Sequence, residues 1–156
     1  MKKIMPFIYI LILVLFDQIV KILALIKLKP LESVMVIKDF FYLTYVENKG
    51  AAFGIFEGAR WIFILIALVA VVFCIIYYNK VSNTRFLILC KIALIFIASG
   101  AMGNMIDRIF RKYVIDMFHF VFLGKDFAVF NIADILVCVG TFLFGIYIIF
   151  SDKQEK

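Results

Sequence analysis

The chain has 156 residues, is 66% hydrophobic with a mean hydropathy of +1.10, and carries a formal net charge of +6. So much apolar surface excludes an ordinary soluble domain and requires a chain whose solvent is lipid, where helices are apolar on every side. The basic residues form no aromatic-interleaved patch of the kind that binds nucleic acid; they flank apolar segments, as basic residues flank membrane spans.

About 20 helical residues cross a hydrocarbon core of about 30 Å. Four segments qualify, at about 4–26, 61–78, 86–106 and 132–150, which predicts a single polytopic α-helical membrane domain over 1–156. The first segment begins MKKIMPFIYILILVLF and imitates a secretory signal. No small-x-small cleavage site follows, and the run continues through Asp17 and Lys21 to Ile26, so it reads as a retained span. Pro6 sits where a first helical turn tolerates proline. The connection 27–60 is too apolar and β-branched for a flexible linker. Val34 to Ile37 and Phe40 to Val46 read as short strands, and Gly50, Ala51 and Ala52 as a close-approach stretch.

Trp61 opens the second span and Tyr77 and Tyr78 close it, as interfacial aromatic belts do. The third span holds Ala98, Ser99, Gly100, Ala101 and Gly103, small residues that let a neighbouring helix approach. The connection 108–130 reads as a hairpin: VIDMFHFVF, a turn at Gly124-Lys125-Asp126, then FAVF. The two long connections share one side of the membrane and predict a small β-sheet roofing the helix ends. Asn131 stands before the fourth span as a helix cap.

Four spans place both termini on one side. Lys2, Lys3, Lys80, Arg85, Lys91, Lys153 and Lys156 lie there and the other ten basic residues lie opposite. The raw count therefore opposes a cytoplasmic terminal side, whereas Lys2 and Lys3, directly before the first span, favour it. Cys74, Cys90 and Cys138 lie in apolar runs without metal-ligand spacing and read as buried small hydrophobes rather than disulfide partners.

Ionisable groups inside apolar sequence are costly and each demands a reason. Asp17 and Lys21, spaced i, i+4, are either a structural ion pair with Lys21 snorkelling outward or a functional pair, supporting the site residues from behind or contacting a substrate headgroup. Asn104, Asp107 and Arg108 either mark where the third span leaves the lipid or, through the Arg108 fork, orient a carboxylate or carbonyl. Asn131 and Asp134, spaced i, i+3, are either a reciprocal helix cap or a carboxylate held at membrane depth. Asp116 joins Asp134 only if the hairpin folds back. His119, the single histidine, lies between Phe118 and Phe120 and reads as a packed or interfacial residue. The spacing offers no Ser–His–Asp, Cys–His or zinc-protease arrangement. Carboxylates remain. Two aspartates close together in a low dielectric share a proton, and such a pair can deprotonate a water while protonating a carbonyl, without metal or cofactor.

Five motifs in order, DQIVK at 17–21, ENKGAAFGIF at 47–56, SGAMGNMIDR at 99–108, VIDMF at 114–118 and FNIAD at 130–134, resemble the lipoprotein signal peptidases (signal peptidase II) of bacteria. The resemblance implies an intramembrane aspartic endopeptidase that cuts the signal peptide from diacylglyceryl-modified prolipoproteins just before the lipidated cysteine. It implies Asp116 and Asp134 as catalytic residues and Asp107 as a supporting one. Asn48 and Gly50 match the family's N-x-G loop, and Asn104, Arg108 and Asn131 match polar residues lining its site; Asp17 and Lys21 join the supporting set. It further implies no metal or cofactor, prolipoprotein and membrane-lipid partners, no nucleic acid, and a cell-membrane location with both termini cytoplasmic. The sheet is then extracytoplasmic, the site lies near the outer leaflet, and a lipidated substrate enters sideways; a monomer is expected. Ser99, Met117 and Ile135 depart from the glycine, phenylalanine and serine usual at those places. The rival reading is a small proton-coupled transporter using intramembrane acids, and a second is a scaffold with structural ion pairs only. Against the transporter, the polar residues gather at one membrane face and the spans show no inverted repeat.

Overall fold

The computed structural model describes residues 4–50, 56–81 and 87–151. Lys2, Lys3, Ala51, Ala52, Arg85, Lys153 and Lys156 lie outside the described residues. Four helices, α1 (Met5–Leu23), α2 (Arg60–Lys80), α3 (Leu87–Phe110) and α4 (Ile132–Ser151), are each long and apolar enough to cross a membrane. The four predicted spans are therefore the four helices. α1 runs further than hydropathy suggests. It widens into a π-helical turn over Ala24–Leu28 and ends in a 3-10 turn over Lys29–Leu31. Pro30 lies in that last turn, where its missing N–H forbids further helix.

The two long connections combine in one antiparallel sheet, ordered β1 (Ser33–Ile37), β2 (Phe41–Asn48), β3 (Val114–Phe122) and β4 (Lys125–Asp126). β2 and β3 are the pair that joins the connections, with Val46 opposite Asp116 and Asn48 opposite Val114. The expected hairpin forms, but its turn lies one residue earlier than predicted. Leu123 and Gly124 both have positive φ, 50° and 72°, the backbone a two-residue hairpin loop requires, and Lys125 and Asp126 are the return strand itself. The FAVF segment is not a strand. Phe127 N–H donates to Phe120 O at 2.9 Å, and Phe130 rejoins β3, its carbonyl accepting from the N–H groups of Met117 and Phe118 at 3.1 and 2.8 Å. The Phe130 ring stacks on Phe120 at 5.6 Å, while Phe127, Ala128 and Val129 line a cavity.

One core joins α1, α2 and α3 through Ile10, Val14, Cys74, Cys90, Leu94, Ile95 and Ala98. A second seats the sheet on the π-helical turn through Ala24, Leu28, Ile115 and Met117. α3 and α4 touch through glycine, as the small residues predicted. A Cβ on Gly100 would lie 2.2 Å from the Ala133 carbonyl, and one on Gly103 would lie 3.1 Å from Ala133 Cβ and 2.6 Å from Asp17 Oδ2 of α1. Ser99 fits this face because its hydroxyl donates back to Ile95 O at 2.7 Å and leaves nothing unsatisfied. All three cysteines are free; Cys74 and Cys90 are buried as expected, but Cys138 is exposed, because its face of α4 borders the cavity rather than a neighbouring helix.

Candidate active site

Side chains alternate along a strand. On β3, Ile115 and Met117 enter the sheet core, so Val114 and Asp116 face the other way, into a cavity of about 680 Å³. Asp116 is 1% exposed. Asp134 reaches the same cavity from the first turn of α4. Its position is set by a reciprocal cap: Asn131 N–H donates to Asp134 Oδ2 at 3.1 Å and Asp134 N–H donates to Asn131 Oδ1 at 3.0 Å. The capping alternative is thus present, and it leaves Asp134 Oδ1 free to accept from Asn104 Nδ2 at 2.7 Å.

Asn131 then ties the two carboxylates together. Its Nδ2 donates to Asp116 Oδ1 at 2.6 Å and to Asn104 Oδ1 at 3.2 Å. Asn48 Nδ2 donates to the other oxygen, Asp116 Oδ2, at 2.9 Å, while Asn48 Oδ1 accepts Gly50 N–H at 3.0 Å. Burial, and next the charge of Asp134, push the Asp116 carboxyl from 3.8 up to about 7, against the opposing hydrogen bonds from Asn48 and Asn131. Arg108 lines the cavity but touches carbonyls: it donates to Gly50 O at 3.1 Å and Asn104 O at 3.5 Å, with its guanidinium over the Phe63 ring. It fastens the end of β2 to α3 and α2.

Behind the cavity lies a buried ionic cluster. Lys21 does not snorkel outward. It is fully buried, because three acceptors at 2.9 Å match its three protons: Asp17 Oδ2, Asp107 Oδ2 and Asn104 Oδ1. Asp17 also accepts Ala133 N–H at 2.9 Å, fixing the start of α4 to α1. Asp107, in the last turn of α3, is fully buried and also accepts from Arg111, from Gln18 at 3.2 Å and from Ile115 N–H at 3.4 Å. Gln18 and Arg111 were absent from the residues singled out in the sequence. The i, i+4 acid–base spacing of Asp107 and Arg111 was the available signal.

His119 lies apart, outside the lining of this cavity. Its ring hydrogen-bonds Thr44 and Asp126, each at 3.1 Å, so strand pairing builds an Asp–His–hydroxyl chain that linear spacing did not offer. Among the described residues no group of three or more His, Cys, Asp or Glu side chains is arranged to hold a metal ion.

The comparisons with known proteins bear on this geometry. The profile of the signal peptidase (SPase) II family matches residues 9–150. The lipoprotein signal peptidase of Clostridioides difficile is 42% identical over 151 residues, covering 95% of this chain and 99% of the relative. That of Halothermothrix orenii is 44% identical over 152 residues, covering 97% and 98%. A solved bacterial membrane enzyme superposes with a TM-score of 0.82 at 28% identity, covering 97% of this chain and 92% of its own. A further bacterial membrane enzyme gives 0.77 at 29%, covering 92% of each. With a family profile spanning nearly its whole length and full-length relatives above 40% identity, this chain belongs to the signal peptidase II family.

Proposed function

We propose that the protein is an aspartic endopeptidase of the membrane, acting on diacylglyceryl-modified prolipoproteins, with Asp116 and Asp134 as its reacting pair. The observation that carries this is Asn131, which holds Asp116 by its side-chain amide and Asp134 by its backbone N–H, so that both carboxylates meet at the wall of one cavity. Asp116, deeper and raised to about 7, holds the proton; Asp134, half-buried and facing the cavity, is the base. Asp134 removes a proton from a water as its oxygen attacks the peptide carbonyl, and Asp116 gives its proton to the carbonyl oxygen. Collapse of the tetrahedral intermediate breaks the C–N bond: the proton taken by Asp134 passes to the leaving amine, and one hydroxyl of the gem-diol returns its proton to Asp116 as the product carboxyl forms. The cavity supports a lipidated substrate: α2 and α3 wall it with Phe63, Ile66, Ala67, Ala70, Ile97 and Ala101, apolar and partly small. The lipid-substrate reading rests on the names of the relatives. Both termini cytoplasmic, with the sheet and cavity at the outer leaflet, complete the proposal.

The test is cleavage of a diacylglyceryl prolipopeptide by the reconstituted protein. Asp116→Asn and Asp134→Asn are each expected to lower kcat by about a thousandfold or more. Wild-type turnover by either variant would sink the pair, and the transporter or scaffold readings would then stand.

A further inference from the structure

The buried ionic cluster does not balance without a residue at its rim. Asp17, Lys21 and Asp107 are fully buried, two negative charges against one positive. Arg111, one turn past Asp107 and just beyond the end of α3, supplies the fourth charge; its side chain is 21% exposed. Arg111 N–H donates to Asp107 O at 2.8 Å, which extends the helical turn to reach it. Its Nη1 donates to Asp107 Oδ1 and to Gln18 Oε1, the latter at 3.0 Å. Gln18 Nε2 in turn reaches Asp107 Oδ1, Asp17 Oδ2 and Gly103 O, each at 3.2 Å. With Oδ1 held by Arg111 and Gln18, Asp107 turns Oδ2 to Lys21; Lys21 then holds Asn104 Oδ1, and Asn104 must present its Nδ2 to Asp134. Each link is a direct contact, so the path from Arg111 to the carboxylate pair is continuous.

We infer that Arg111 is a positioning residue for the reaction: it neutralises the buried cluster and, through Asp107, Lys21 and Asn104, sets the placement and proton affinity of the carboxylate pair. The inference rests on the reading of Asp116 and Asp134 as the reacting pair. On its outer side Arg111 borders a separate open cavity of about 500 Å³ with Glu47, Lys49, Glu57, Arg60, Lys112 and Tyr113. Those groups stand toward solvent, where screening weakens them. None of them contacts Asp107 among the described residues. Arg108, on α3, is a further cation facing Asp107, Asp116 and Asp134, and it is the same in every variant; loss of Arg111 takes one positive charge from behind the pair, which makes ionising the pair harder and moves its activity window to higher pH.

The experiment measures kcat and KM against pH for the reconstituted wild type, Arg111→Gln, Arg111→Lys and Asp116→Asn on a diacylglyceryl prolipopeptide, with thermal unfolding of each. Arg111→Gln is expected to lower kcat about tenfold or more and to move the pH profile up by about half a unit or more. KM should hold within about twofold, since Arg111 is no part of the candidate cavity. Arg111→Lys, which keeps the charge and loses the fork, returns the profile to its wild-type position. A wild-type profile for Arg111→Gln overturns the inference. So does an Arg111→Lys profile that coincides with that of Arg111→Gln, and this comparison decides the matter even where the glutamine variant is unstable. Inactive Asp116→Asn beside a wild-type Arg111→Gln profile sinks this inference alone; active Asp116→Asn sinks the paired reading and this inference with it.

Discussion

Each oxygen of the Asp116 carboxylate accepts one amide N–H, from Asn131 and from Asn48, and neither amide is free to turn over. Asn131 Oδ1 is engaged by Asp134 N–H and Asn48 Oδ1 by Gly50 N–H. Two fixed donors favour the ionised form, yet burial and Asp134 outweigh them. The folded state therefore keeps a proton on Asp116 up to about pH 7 that the unfolded chain releases near 3.8. The fold binds more protons over that interval, so this group's contribution is complete at low pH and is lost as pH rises toward about 7. Thermal unfolding in detergent should show that decline in the wild type, and Asp116→Asn should lack it. Asn48→Ala removes a hydrogen bond that lowers the Asp116 value, so the alkaline limb of the cleavage profile should move to higher pH; a downward move would contradict the assignment of the proton to Asp116.

At the scale of elements, α4 is the piece on which the site depends most, since it carries Asp134 and begins at Asn131. It is held against α3 by the absence of side chains. Gly100→Ala places a methyl group 2.2 Å from the Ala133 carbonyl, so α4 must move away. A loss of about 1–3 kcal/mol of stability is expected from such overpacking, with cleavage falling as Asp134 leaves Asn104. Gly145→Ala, with nothing within 4 Å of its would-be Cβ, serves as the neutral control for both readouts. Hydropathy and β-branching made the four spans, β1 and β2 legible in the sequence. The short β4 was not, because the two-residue loop that sets its register places Leu123, a residue with no turn signal of its own, at positive φ beside Gly124. The π-helical turn was hidden because it fits Ala24 and Leu28 to a sheet made elsewhere in the chain. At the site, Asn131 and Asp134 were legible as a cap, and Asp116 stood out only through the motif resemblance. Lys21 looked like a group that escapes to water until its acceptors, drawn from α1 and α3, were in place.

For the whole molecule, the proposed orientation has a direct check. Fluorescent or protease-cleavable tags at both termini should be reached only from the cytoplasmic face of sealed vesicles, and a tag in the Leu123–Gly124 loop only from the outer face. The molecule is also unevenly stiff. α3 is locked to α1 through the ionic cluster and to α4 through glycine contacts, whereas α2 buries only Val71 and Cys74 and owes its place to side-chain packing along one face. That difference separates two mechanical roles. The half bearing Asp116 and Asp134 is therefore expected to keep its spacing, while α2, carrying Phe63, Ile66, Ala67 and Ala70, is expected to be the wall that yields. A crosslink between α3 and α4 should be harmless to turnover, while one pinning α2 to α4 across the cavity should stop a lipid-bearing substrate from entering and leave the carboxylate pair intact behind it.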